Sequence, residues 1–135
     1  MTDLEIEYLR LAVIEQKKFD EICKILRIDR TEVSKYWGDL KDQREYLSGL
    51  RNIWKSKFEN TGTTESFWEF KKWYETSEKK CFYCGITENQ ISELFQKKKI
   101  FTNRKRGKKL EIERLVPNEP YNNLENLVFS CYWCN

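Results

Sequence analysis

Leu4, Tyr8, Leu11 and Glu15 recur at helical steps, with Leu9, Val13 and Ile14 beside them, so the chain opens with an amphipathic helix. Thr2 and Glu5 stand at capping-box spacing and mark its start. A second short helix is predicted over Phe19–Leu26. Asp29 and Glu32 repeat the Asp-x-x-Glu start signal and open a third helix to about Leu40. Leu47, Leu50, Trp54 and Phe58 line a fourth. Asn60-Thr61-Gly62-Thr63 is the clearest break and divides the chain into residues 1–60 and 61–135. A fifth helix, about Thr64–Ser77, carries Phe67, Trp68, Phe70, Trp73 and Tyr74 on several sides, which predicts heavy burial. After Cys81 the period changes. Leu110-Glu111-Ile112-Glu113 and Leu127-Val128-Phe129 predict short strands around a loop.

Composition narrows the chemistry. The 135 residues, enough for one domain or two very small ones, contain 20 aromatics, five cysteines and no histidine. A Ser-His-Asp triad and any histidine metal site are thereby excluded. A metal must use cysteine, carboxylate or amide ligands, and a proton near neutral pH must move through water, carboxylate, Tyr, Lys or Cys. No apolar run approaches the length of a membrane span, and the acidic MTDLEIEY start lacks signal-peptide order. A reducing cytoplasm is the expected location, where cysteines serve as metal ligands more than as disulfides.

The net charge of +3 conceals a strong asymmetry. Residues 1–60 balance twelve basic against twelve acidic side chains. Residues 97–109 hold eight cations (Lys97, Lys98, Lys99, Arg104, Lys105, Arg106, Lys108 and Lys109) and no acid. Such a run is either a solvated hairpin or a contact for a polyanion's phosphates, with binding that weakens steeply in salt.

Residues 19–37, FDEICKILRIDRTEVSKYW, have helix-turn-helix spacing. Cys23 takes the small-residue place in the first helix, Ile28 fills the turn and Val33 takes the apolar place in the second. Thr31, Ser34, Lys35 and Tyr36 are then expected to face outward, toward a DNA major groove. Arg27 stands where glycine is usual in the turn. The competing reading is a small helical bundle that touches no DNA, which the charge balance of this half favours.

Cys81-Phe-Tyr-Cys84 and Cys131-Tyr-Trp-Cys134 are two Cys-x-x-Cys pairs separated by 46 residues. Together the four thiolates can hold a tetrahedral Zn²⁺ and staple a segment too small for a large core. Paired disulfides are the alternative. Cys23 is left over, as a small apolar side chain.

Residues 79–135 carry Cys-x-Tyr-Cys-Gly, Leu-x-Ile-Glu-Arg, Asn-Leu and a closing Cys-x-x-Cys-Asn in this order, and so resemble the HNH nuclease family, whose ββα-metal site usually reads strand, Asp-His, loop, Asn-Leu, strand, Cys-x-x-Cys-Asn, helix. The resemblance implies metal-dependent hydrolysis of phosphodiesters in double-stranded DNA. It places Glu113 and Asn135 as ligands of a catalytic Mg²⁺ or Mn²⁺, Asn126 as the middle Asn that ties the loop, and Cys81, Cys84, Cys131 and Cys134 on structural Zn²⁺. Arg114 falls where the family has its general-base His, and an always-charged guanidinium cannot take a proton from water. A subset of the family, including a rare-cutting restriction endonuclease, resembles this chain there, and by that likeness Tyr83 is the residue placed to activate water. Arg114 is then expected to clamp the scissile phosphate. Tyr83, with an ordinary pKa near ~10, needs help from Arg114 or the metal. The chain stops at Asn135, before the helix that completes the family's unit, so the resemblance implies a module lacking most of that helix and reduced activity for this chain.

Each of these residues also has a plain structural reading. Tyr83 could pack over the knuckle, Arg114 could pair with Glu111 or Glu113, Glu113 could be a solvated strand residue, and Tyr121 could anchor the loop. The expected architecture is α+β: a helical N-terminal region with helix-turn-helix character, then a zinc-stapled HNH-like module. A non-catalytic zinc-containing helix-turn-helix DNA-binding regulator is the alternative function, and a protein-interaction domain a further one. No membrane partner is expected, and a homodimer stays open.

Overall fold

The computed structural model describes residues 1–58, 64–97, 109–119, 121 and 123–135. Its contacts divide the chain into two compact units, Met1–Lys71 and Lys72–Asn135. The boundary falls inside a helix, and the expected break at residues 60–63 lies outside the described residues. The reason is aromatic packing within the first unit. Trp54 meets Phe67 edge-on at 5.7 Å between ring centroids, and Phe58 meets Phe70 at 5.4 Å, so the start of that helix belongs with the helix before it.

In the first unit, α1 (Asp3–Leu9) starts at the Thr2–Glu5 capping box, with both reciprocal hydrogen bonds formed. A single α-helix does not continue to Glu15, as the periodicity predicts. Arg10–Ile14 forms a π-helical segment that buries Leu11, Val13 and Ile14 together. The wider turn lets three apolar side chains reach the core where the α period would turn one away. It ends at Gln16, with φ of 53°. Next come α2 (Phe19–Leu26), α3 (Arg30–Asp39) and α4 (Lys41–Lys57). Asp29 caps α3, its side chain accepting the Glu32 N–H at 2.8 Å. The α2–α3 turn passes through Arg27 at φ 56°, ψ 44°, a left-handed conformation at the position where glycine is usual. Val33 is buried, and Thr31, Ser34 and Lys35 are exposed as expected. Tyr36 is not: it is half-buried, its ring 5.5 Å from that of Tyr8. Leu47, Leu50 and Trp54 of α4 and the following Phe58 are all buried. The Arg51 guanidinium donates to the Ile14 carbonyl at 3.1 Å and ties α4 to the end of the π segment.

Helix α5 (Thr64–Thr76) buries Phe67 and Phe70 completely, while Trp68, Trp73 and Tyr74 are half-buried. In the second unit, Trp73 stacks on Phe129 at 5.1 Å and Tyr74 meets the same ring edge-on. Lys79 lies against Tyr74 and Phe129, 3.9 and 4.6 Å from their ring centres, and donates to the Tyr74 carbonyl near the end of α5. Helix α6 (Glu88–Lys97) stands where only strands and loop were expected. Its start is a Thr87–Gln90 capping box, and its buried residue is Ile91, with Phe95 packed on the same cluster. Strands β1 (Glu111–Arg114) and β2 (Leu127–Ser130) pair antiparallel, with Glu113 opposite Val128 and Glu111 opposite Ser130. Ile112, Leu127 and Phe129 are buried on one face of this hairpin. The fold class is therefore α+β: a mostly helical N-terminal region and a small two-stranded module beside a four-cysteine cluster. Among the described residues, no helix is long and apolar enough to cross a membrane.

Candidate metal centre and the strand beside it

Each cysteine pair sits at a tight backbone turn. In the first, the Cys81 N–H donates to the Ile86 carbonyl at 2.8 Å, and the Gly85 N–H returns to the Cys81 carbonyl at 2.9 Å. Gly85 makes the return with φ of 76°, a conformation costly for any residue with a Cβ. In the second, the N–H groups of Cys134 and Asn135 both donate to the Cys131 carbonyl. The Phe82 N–H donates to the Phe129 carbonyl at 2.8 Å and joins the first turn to β2, which leads directly into Cys131. Cys81 and Cys131 are buried with Ile91 and packed by Ile86, Phe95 and Leu110, while Cys84 and Cys134 are exposed.

The four Sγ atoms all lie within 4.8 Å of one another. Cys84 and Cys131 are 3.7 Å apart, far beyond a disulfide bond of about 2 Å. A tetrahedral zinc with bonds of about 2.3 Å sets its sulfurs roughly 3.8 Å apart. The thiols' own electrostatics fit a bound cation. Burial opposes the Cys81 thiolate, but the backbone N–H groups of Cys84, Cys131 and Tyr83 turn toward it and pull its pKa down to about 6. Cys131 is raised, by burial first, and contact with Cys131 and then Cys84 pushes Cys134 up to about 12. One negative charge is welcome; four are not, unless a dication displaces the protons. This is a structural four-cysteine zinc site.

The strand beside it carries the other candidates. On Glu113, Oε2 is buried and has no hydrogen-bond partner among the described residues. An unpaired carboxylate oxygen out of water is costly, and a bound cation is one way to satisfy it. Its charge reaches Tyr83, whose phenol is raised above the ordinary value by partial desolvation, then by Glu113, Cys81 and Cys134. Arg114 pairs with neither Glu111 nor Glu113 in any described ion pair. It donates to the Glu119 carbonyl at 3.1 Å and stacks over Tyr121 at 4.4 Å, within the loop that follows β1. Asn126 is buried, and its carboxamide grips the same loop from both sides, accepting from Val116 N–H at 2.8 Å and donating to the Val116 carbonyl at 3.0 Å. The Asn135 amide donates to Glu111.

Ser130 went unrecognised in the sequence. It is fully buried, its Oγ has no partner among the described residues, and it faces Glu111 across the hairpin. Only the strand register brings it there. Lys97 and Lys109 are exposed, while Lys98, Lys99, Arg104, Lys105, Arg106 and Lys108 lie outside the described residues. Comparison with family models, curated proteins and solved structures returned no match to this chain.

Proposed function

We propose that this chain is a metal-dependent DNA endonuclease of HNH-like type, in which a tyrosine and an arginine do the work of the missing histidine. The observation that carries this reading is the Oε2 of Glu113, buried and without a hydrogen-bond partner among the described residues, on a hairpin that continues into the four-cysteine centre and whose charge helps raise the Tyr83 phenol. Glu113 and the amide oxygen of Asn135 are the ligands assigned to Mg²⁺ or Mn²⁺, since such hard cations prefer oxygen. When bound, the cation supplies Lewis-acid stabilisation of charge on the phosphate and the leaving oxygen.

The chain's own residues then divide the remaining tasks. Zinc holds the two turns together and thereby sets β2 and, through register, β1. Asn126 fixes the loop that carries Arg114's partners. Arg114 has five donors, of which one is engaged by Glu119, and its guanidinium is the group assigned to clamp a scissile phosphate. At neutral pH the raised phenol of Tyr83 keeps its proton, so Tyr83 orients the attacking water. To serve as the base it would first have to release its own proton to solvent, which neutralising the Glu113 charge would favour, and only the resulting phenolate would take a proton from the water. Contact with the DNA backbone is assigned to the cationic stretch 97–109, and major-groove contact to Thr31, Ser34 and Lys35.

The test is cleavage of supercoiled plasmid with Mg²⁺ or Mn²⁺. Nicking that disappears in Glu113→Ala, with zinc content unchanged, supports the reading, and loss of about a hundredfold is expected for Arg114→Ala. DNA binding without nicking, indifferent to Glu113→Ala, would instead leave the non-catalytic regulator. Full cleavage by Tyr83→Phe would remove Tyr83 from the water's surroundings.

A further inference from the structure

The first unit contains a groove of about 470 Å³, within the usual range for small-molecule sites. Trp37 lines it, with the Arg44 guanidinium over the indole at 3.6 Å from the ring centre. Arg44 is fixed there by two bonds to the Trp37 carbonyl, at 2.6 and 3.1 Å. Ser48, Gly49 and Asn52 of α4 line one side, and Gln16, just past the π segment, lines the other.

Three features here run against ordinary packing. Trp37 leaves 59% of its surface in water. Gln16 holds a positive φ without being glycine. Gly49 lies inside a helix, where alanine is more stable, yet a Cβ built on it meets nothing within 4 Å. All three converge on one groove, and π segments often accompany functional sites.

We propose that this groove binds a nucleobase. A flat indole backed by a guanidinium offers a stacking face, and every base has a π-face. The bare Gly49 surface lets a planar ring lie close to α4. The Gln16 and Asn52 amides each offer a donor beside an acceptor, the pattern that pairs with the N6/N7 edge of adenine, so adenine is the preferred base. Arg44 and Glu45 both line the groove, so neither sign of charge dominates it and the base, not a charge, is what it recognises. The base could belong to a free nucleotide or to a nucleic-acid strand. Neither source depends on the second unit, so this proposal stands or falls apart from the nuclease reading.

The test uses the full zinc-loaded chain, titrated separately with adenosine monophosphate, cytidine monophosphate and a short oligodeoxyadenylate, and followed by amide and indole NMR shifts. Shifts at Gln16, Ser48, Gly49, Asn52 and the Trp37 indole are expected, larger for adenine than for cytosine. Trp37→Ala should weaken binding on the order of tenfold, the size of one stacked base. Gly49→Leu should abolish it by filling the groove while favouring helix. Binding of the mononucleotide alone identifies a free effector, and much tighter binding of the oligonucleotide identifies a strand. If no probe shifts these resonances at millimolar concentration, or if Gly49→Leu binds as the wild type does with its helicity intact, the groove does not bind bases.

Discussion

Arg27 and Gly85 both hold left-handed backbone, one with a side chain and one without. Arg27 stores strain that glycine would release, whereas Gly85 is a turn that glycine alone makes cheaply. Arg27→Gly is expected to raise stability by about 0.5 kcal/mol, and Gly85→Ala to lower it by about 1–2 kcal/mol. Denaturant midpoints check the pair, and a shared sign would contradict the account. Tyr8 gives a pH dependence of defined sign. Its phenol is raised above 10.0 by burial, which the Arg44 charge only partly offsets. The folded chain thus favours the protonated phenol. That contribution is complete below the unfolded value and is lost as pH rises through the folded one. Denaturant midpoints measured from pH 9 to 12 should fall more steeply for the wild type than for Tyr8→Phe. Parallel curves would show that Tyr8 does not titrate with unfolding.

At the scale of elements, capping decides where the second unit begins its helix. Thr87 and Gln90 exchange hydrogen bonds at 3.1 and 2.9 Å. Thr87→Ala should cost about 1 kcal/mol. Faster hydrogen exchange at the first amides of α6, with the zinc site retained, is the expected signature. This helix was legible in principle: Thr-x-x-Gln precedes Ile91, Leu94 and Phe95 at helical spacing. It was obscured because α6 is short and lies between a cysteine pair and a cationic run, both of which suggest loop. The starts of α1 and α3 were read correctly for the same capping reason. The π segment had no such signal, since its apolar residues fit an α period until the backbone widens. The hairpin strands were visible as alternation, but the closeness of Tyr83 to Glu113, the Ser130 burial and the Asn135–Glu111 bond depend on register and on the cysteine turns meeting in space.

For the whole molecule, the four cysteines were the most readable feature, because two close pairs separated by a long interval leave few geometries other than one shared centre. The unit boundary was less readable, because aromatic rings of α5 pack on both sides of it. Metal removal should therefore act unevenly. One zinc per chain is expected, and chelation should abolish the near-ultraviolet signal of the second unit while the helices of the first persist. Loss of both units together on chelation would show that zinc supports the whole chain.

The spacing of the cysteines also sets an order in time. Cys131 follows Cys84 by 47 positions. At about 5–20 residues per second, a ribosome makes that stretch in roughly 2–9 s. The first unit is already complete by Lys71. Throughout the interval, Cys81 and Cys84 are a nascent dithiol without their partners, open to oxidants and to any scavenging metal.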